Sequence, residues 1–219
     1  MGKKYELTEE TKEFYGRTLY RIKALKDFGD VEVGDLGGYI ESESNLIQEC
    51  CAWVYGNVMV YGDARVFDNA KVFDNAKVCD NAEVHANAMV FDNAKVFGSA
   101  KVYGSANVYG DAMVLGSADV CGSANVYGSA NVYGYADVRG DAEIKGKTDY
   151  IVFKNWWSSG RYFTWTRSNN MWKVGCFYGT GEELIQKAYK DSEKSGREYE
   201  RVVRYVESIL ADEKKEVQP

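Results

Sequence analysis

The chain of 219 residues carries a net charge of −6 and is 45% hydrophobic, which is enough apolar material for a substantial buried core. It has no run of about 18 apolar residues, as a membrane span requires, and its first residues lack the apolar centre of a signal peptide. We therefore expect a cytoplasmic protein without a membrane partner. The net negative charge argues against nucleic acid as a partner, because binding to its phosphate backbone requires a clustered basic surface.

The first segment, residues 1–50, is predicted to be an N-terminal cap. It contains short strands around a turn at Gly16 and a glycine-rich stretch from Gly34 to Gly38. Ile40 and Leu46 are six residues apart, but Leu46 and Val54 are eight apart. The first coil of the repeat that follows is therefore expected to be irregular, with two extra residues near the adjacent cysteines at 50 and 51.

Residues 51–146 consist of a six-residue repeat. From Val54 to Ile144 every sixth residue is Val, with Ile at the last position, and from Ala64 to Ala142 an Ala stands four residues after each of them. A period of six suits a short strand followed by a corner. Val points inward from the strand, Gly, Asp, Ser or Asn turns the corner, and Ala fills the narrow space behind it.

Three such sides make a triangular coil of eighteen residues, and about five coils stack as parallel strands. The unit V-[Y/F]-[G/D]-[S/N/D]-A-x resembles that of the hexapeptide-repeat left-handed β-helix superfamily, with an aliphatic first residue and a small fifth one. The resemblance implies a mainly β fold, a left-handed parallel β-helix. This chain departs from the family in placing Tyr or Phe, rather than a small or acidic residue, after most of the valines.

Outward residues at intervals of eighteen form columns along the prism. The residues after Val on the first side form an unbroken aromatic column: Tyr55, Phe73, Phe91, Tyr109 and Tyr127. Stacked aromatic side chains stabilise neighbouring coils, yet an apolar face of this size usually meets a partner. We predict a homo-oligomer with this column at its interface. The resemblance favours a trimer, and a dimer would cover the face equally well.

Many members of the superfamily are acyltransferases with a His as general base. The one His here, His85, lies at an outward position in an uninterrupted run of repeats, and no loop leaves the coils to form an acceptor pocket. We predict no catalytic residue. Asp74 and Asp92 share one corner of successive coils; calcium binding is one interpretation, and service to corner geometry is the favoured one.

The five cysteines do not indicate a metal centre or a disulfide framework. Their number is odd, and none has a CxxC or Cys/His ligand spacing: Cys50, Cys51, Cys79, Cys121 and Cys176. Reduced thiols fit a cytoplasmic protein. We predict neither a metal nor a cofactor.

Residues 147–219 are predicted to form a small α+β domain of three strands and two helices. Thr180 to Glu183 is a capping-box start, and the helical region is expected to break near Ser195 and Gly196. An apolar stripe along the second helix is expected to pack on the sheet: Tyr199, Val202, Val203, Val206, Ile209 and Leu210.

This domain holds the one predicted ligand site. Arg beside exposed Trp suits stacking on a base, nucleotide or sugar and pairing with a phosphate. The candidate residues are Trp156, Trp157, Arg161, Phe163, Trp165 and Arg167. The alternative is that Phe163 and Trp165 form the core under the helices, with Arg at the margin of the sheet.

Two classes of function remain after these considerations. The chain also resembles uncharacterised bacterial and prophage β-helix proteins through LYRIKALKDF, GGYIESESNL, WVYG and its C-terminal segment. That resemblance favours a non-catalytic scaffold or binding protein of a bacterial or phage-infected cell, which binds a host protein or sequesters a small nucleotide. The alternative is an acyltransferase with a site between subunits. A DNA mimic is third, because lysines interrupt an acidic face: Lys71, Lys77, Lys95 and Lys101.

Overall fold

The computed structural model describes residues 2–216, and it begins with an antiparallel hairpin. Strand β1 spans Tyr5–Phe14 and β2 spans Arg17–Ala24, with the predicted turn at Gly16 between them. Strand β3, Leu36–Ile40, pairs antiparallel with β2 and parallel with the repeat region, so the hairpin continues one of the solenoid sheets. A short 3-10 helix at Glu43–Asn45 follows.

The repeat region forms a parallel β-solenoid. Each strand pairs with those eighteen residues before and after it, which makes three parallel sheets. The strands are β4 Trp53–Val54, β5 Met59–Val60, β6 Arg65–Val66, β7 Lys71–Val72, β8 Lys77–Val78, β9 Glu83–Val84, β10 Met89–Val90, β11 Lys95–Val96, β12 Lys101–Val102, β13 Asn107–Val108, β14 Met113–Val114, β15 Asp119–Val120, β16 Asn125–Val126, β17 Asn131–Val132, β18 Asp137–Val138 and β19 Glu143–Ile144.

The solenoid has about six coils, one more than the regular repeat indicates. Ile40, Leu46 and Val54 stand directly beside Val60, Val66 and Val72 of the next coil, so they are the three inward positions of an additional, irregular coil. The two extra residues lie before β4, where Cys50 adopts a positive φ of 55°. The sequence identified the irregularity, but only the pairing shows that this coil is complete.

The core of the solenoid is made of the two periodic residues, as predicted. Each Val of the repeat, the final Ile144 and each Ala from Ala64 to Ala142 is no more than 1% exposed. The residue two positions after each Val has positive φ at every corner, from Gly56 to Gly140. Gly and Asp occupy nearly all these positions because both tolerate this conformation, and Ala86 is the exception.

The aspartates at the corners also complete backbone hydrogen bonding between coils. The carboxylates of Asp80 and Asp92 accept from the N–H of Gly98 and Gly110, each 3.0 Å away and eighteen residues further along the chain. Asp74 makes the same, longer contact of 3.4 Å with the N–H of Asp92. These contacts agree with the favoured interpretation, in which the corner aspartates stabilise the backbone of the turn.

The C-terminal segment forms a four-stranded antiparallel sheet and two helices. Its strands are β20 Tyr150–Lys154, β21 Tyr162–Thr166, β22 Met171–Val174 and β23 Phe177–Gly179, followed by helices α1 Gly181–Asp191 and α2 Glu193–Glu216. The prediction of three strands took residues 171–179 as one strand, whereas a turn at Gly175 divides them into β22 and β23, which pair with each other. The predicted apolar stripe of α2 packs on this sheet through Tyr199, Val203 and Val206.

The helical region breaks, as predicted, near Ser195 and Gly196, and the break itself lies three residues earlier, at Ser192. Ser192 is extended, and its hydroxyl accepts from the N–H of Ser195 at 3.1 Å, as a residue that caps a helix does. Gly196 lies inside α2, and the Tyr189 ring packs over it so closely that a Cβ there would collide with the ring. Neither α1 nor α2 is long and apolar enough over residues 2–216 to cross a membrane.

Candidate functional site

Four of the five rings of the predicted aromatic column, from Phe73 to Tyr127, form a continuous stack on the first face, which we define as the sheet from β4 to β19. Ring centroids are 4.9 Å apart for Phe73 and Phe91, 4.8 Å for Phe91 and Tyr109, and 5.3 Å for Tyr109 and Tyr127. The three ring pairs are within 8° of parallel. These separations match the spacing between neighbouring strands, so the backbone sets the stack.

Stacking determines which part of each ring meets a partner. The flat faces of Phe91 and Tyr109 are covered by their neighbours, and each side chain is half-buried. The column therefore presents ring edges rather than ring faces to the outside. This arrangement suits packing against another apolar surface, and it leaves no ring face on which a base or sugar can stack in mid-column.

The strand positions before Val, beside the middle of the column, carry no charge. Met89, Asn107 and Asn125 occupy the position before Val in three successive coils, and Met89 is 36% exposed. The Asn107 side chain donates to that of Asn125 over 3.0 Å. On the third face, the sheet from β6 to β18, the same positions hold five charged residues: Arg65, Glu83, Lys101, Asp119 and Asp137. The first face thus has a neutral centre.

An open groove of about 630 Å³ lies at the N-terminal end of the first face. Asp30, on the loop between β2 and β3, accepts from the Tyr55 hydroxyl at 2.9 Å and from Lys71 Nζ at 2.8 Å. The hydrogen bond from Lys71 lowers the pKa of the Asp30 carboxyl. Tyr55 is turned 86° from Phe73, so it ends the parallel stack. Sequence analysis missed Asp30 because it lies outside the periodic region.

His85 is part of an aromatic stack on the third face. Its ring lies between those of Phe67 and Tyr103, with centroids 4.6 and 5.1 Å away and planes within 4° of parallel. Its Nδ1 lies 3.7 Å from an Asp68 carboxylate oxygen. His85 is not among the residues that line the groove under Asp30.

The six predicted ligand residues do not form one site. Phe163 and Trp165 are 0% and 1% exposed and lie in the core between the sheet and the helices, which leaves neither ring accessible. Trp165 Nε1 donates to Asn170 at 2.9 Å. Arg167 is held by two hydrogen bonds to Glu213, the shorter 2.8 Å. These positions agree with the alternative interpretation, in which Phe163 and Trp165 form the core under the helices and Arg167 lies at the margin of the sheet.

The other three residues lie in the loop between β20 and β21. Trp156 is 83% exposed, whereas Trp157 packs against Phe163 and Tyr199 with centroid distances of 6.0 and 6.1 Å. Arg161 is exposed and passes close to Gly175. A ligand role for these residues stays a prediction, and among the six only Trp156 and Arg161 have an exposed side chain.

Comparisons with known proteins add no functional assignment. No protein-family model matches the chain, and none of the curated proteins matches it in sequence. Within residues 2–216, no three His, Cys, Asp or Glu side chains are grouped as a metal ion requires. Function is therefore argued from the geometry of this chain alone.

Proposed function

We propose that this chain is a non-catalytic scaffold or binding protein that assembles with copies of itself through the aromatic column. The observation that carries the proposal is the unbroken stack from Phe73 to Tyr127 beside a neutral centre. The cores of protein interfaces are depleted of charge and enriched in aromatic residues and Met. Among the three solenoid faces, the first face fits that composition best.

A trimer is the favoured assembly, and it rests on the proposed membership of the hexapeptide-repeat superfamily. The six-residue period and the three parallel sheets support that membership. A prophage origin and a cytoplasmic location are parts of the same proposal. A bound host protein or small nucleotide would meet Trp156 and Arg161, whose side chains are open to solvent.

The alternative, an acyltransferase with its site between subunits, has weaker support. Such an enzyme needs a general base beside a concave acceptor site. His85 is stacked between two rings on the third face, away from the groove under Asp30. No observation on the described residues favours this function over a binding role.

Replacing Phe91 with Glu tests the assembly. A carboxylate at the centre of the column would be buried without a partner in an oligomer, so Phe91→Glu should convert the oligomer to a monomer. Phe97→Glu is the matched control. Phe97, like Phe91, directly follows a Val of the repeat and is half-buried, but it lies on the next side of the same coil. Native mass spectrometry and light scattering measure the mass of each variant.

Two results would contradict the proposal. An unchanged mass for Phe91→Glu would remove the column from the interface, and a parent protein that is already monomeric would remove the assembly itself. Circular dichroism on both variants shows whether the solenoid is intact. Loss of the oligomer in Phe97→Glu alone would place the interface on the second face, the sheet from β5 to β17, instead.

A further inference from the structure

A second groove, of about 500 Å³, has a lining with positive but no negative side chains. It runs along the second face, the sheet that contains β5, β8 and β11, beside the corner that separates this face from the first. Its lining residues are Lys12, Lys77, Lys95, Asn57, Asn75, Asn93 and Met59. Three lysines without a carboxylate are unexpected in a protein with a net charge of −6.

Two of the lysines are direct neighbours. Lys77 and Lys95 are register partners in the parallel strands β8 and β11, so their side chains leave the same face about 4.8 Å apart. Like charges directly opposite each other destabilise a sheet. On the third face the corresponding lysine, Lys101, has an acidic neighbour, since Glu83 stands between Arg65 and Lys101 and contacts them at 3.9 and 2.9 Å.

The third lysine comes from the N-terminal hairpin, far away in sequence. Lys12 Nζ lies 5.4 Å from the centroid of the Tyr39 ring, and Lys77 Nζ lies 4.9 Å from that of Phe14. These cation–π contacts hold the side chains in place and leave their charge uncompensated. Within residues 2–216 the lysines with ion pairs are others: Lys3, Lys71, Lys101, Lys173 and Lys215.

The asparagines add neutral hydrogen-bonding groups along one edge. Asn57 donates to Asn75 at 3.3 Å, and Asn93 donates to Asp111 at 3.1 Å. Three carboxylates lie close to the lining without being part of it. That of Asp111 accepts from Asn93, and those of Asp74 and Asp92 accept backbone N–H groups of the following coil. The groove thus combines three cationic donors with amide groups over about 10 Å along the solenoid.

We propose that this groove binds a small anion that carries two or more phosphate groups. Ammonium groups and side-chain amides are the donors that phosphate oxygens accept from. A volume of about 500 Å³ suits a small ligand, and the negative charge of the whole protein disfavours a long polyanion. The bound anion would also relieve the repulsion between Lys77 and Lys95.

Titration calorimetry with inorganic tripolyphosphate tests the proposal. The parent protein should bind one tripolyphosphate per chain, and affinity should fall as salt is raised from 50 to about 200 mM. Lys95→Gln should weaken binding at least tenfold, because one of three charged donors is lost. Lys101→Gln, the matched control from the equivalent position of the third face, should bind as the parent does.

Lys12→Gln supplies an independent variant, since it alters the hairpin and leaves the solenoid unchanged; it should also bind at least tenfold more weakly. Absence of binding at 50 mM salt, or equal weakening in Lys101→Gln, would overturn the proposal. Tighter binding of a single-stranded oligonucleotide than of tripolyphosphate would overturn the choice of a small ligand. The Phe91→Glu variant should retain binding, so the two proposals fail separately.

Discussion

Lys4 is buried at the N-terminal end of the solenoid, where it completes the backbone hydrogen bonding of the first coil. Its side chain is 0% exposed, and Nζ donates to the carbonyls of Ile47, Glu49 and Ala52 at 2.7, 3.3 and 2.9 Å. Coil carbonyls point toward this end of the solenoid, and those of the first coil have no earlier coil to pair with. A buried ammonium group supplies the missing donors.

Lys4→Met should lower the free energy of unfolding by about 2 to 3 kcal/mol, because three buried carbonyls lose a charged donor. Lys3→Met is the neighbouring control. Lys3 is largely exposed and pairs with Glu43, so its replacement should change stability by less than about 0.5 kcal/mol. Urea unfolding followed by circular dichroism measures both, and equal effects would refute the capping role of Lys4.

The pH dependence of stability gives a second test of Lys4. Burial lowers the pKa of Lys4 from 10.5 to about 8. The unfolded chain therefore binds more protons at this residue between pH 8 and 10.5, and the contribution of Lys4 to stability rises with pH across this window. The stability difference between the parent and Lys4→Met should widen from pH 8 to 10. A constant difference would contradict the lowered pKa.

At the scale of the element, each corner of the solenoid depends on the corner in the next coil. Gly122 and Gly134 have nearly the same φ, +75° and +71°. A Cβ at Gly122 would lie 2.8 Å from the backbone N of Gly140, whereas a Cβ at Gly134 would meet nothing within 4 Å. Gly134 belongs to the last coil, so no further coil stacks on its corner.

This pair separates backbone strain from crowding between coils. Gly134→Ala should lower stability by about 1 kcal/mol through the positive φ alone. Gly122→Ala has the same strain and a clash with the next coil, and should lower stability by about 2 to 3 kcal/mol. Thermal and urea unfolding compare the two variants. Equal losses would show that the coils shift apart without measurable penalty.

For the whole molecule, the two ends of the solenoid need different caps because the hydrogen bonds between coils all run the same way. Backbone N–H groups of each coil donate to carbonyls of the next, as Arg65 does to Ala82. The last coil therefore has N–H groups to satisfy. The backbone N–H of Asp137 donates to Thr164 Oγ1 at 2.9 Å, and the backbone N–H of Glu143 donates to Ser168 Oγ at 2.7 Å. The C-terminal sheet supplies both acceptors.

A chain that stops at residue 146 should expose this edge and associate end to end. Light scattering should give particles that are larger than those of the parent protein and that grow with concentration. Adding Phe91→Glu to the shortened chain removes association through the aromatic column, and end-to-end growth should persist. A shortened chain with the oligomeric number of the parent would show that the C-terminal sheet is dispensable as a cap.

Much of the candidate site could be predicted because the solenoid repeats. Each coil contacts only its neighbours, so a spacing of eighteen residues places Phe91 directly over Phe73. The orientation of the rings could not be predicted, because Tyr55 takes a different angle at the end of the same column. Asp30 and Lys12 were missed for another reason: each approaches the solenoid from outside the repeat, and no period relates them to their neighbours.

The sequence by itself determined the strand-and-corner unit, the buried Val and Ala, the three outward columns and the change of fold after residue 146. These features follow from local geometry repeated every six residues. Only the tertiary structure decided that the irregular first coil is complete, that Phe163 and Trp165 are core, and that Lys12 joins Lys77 and Lys95. These contacts join non-periodic segments, whose positions depend on how whole surfaces pack. Residue spacing along the chain does not predict that packing, because no repeat relates these segments to their neighbours.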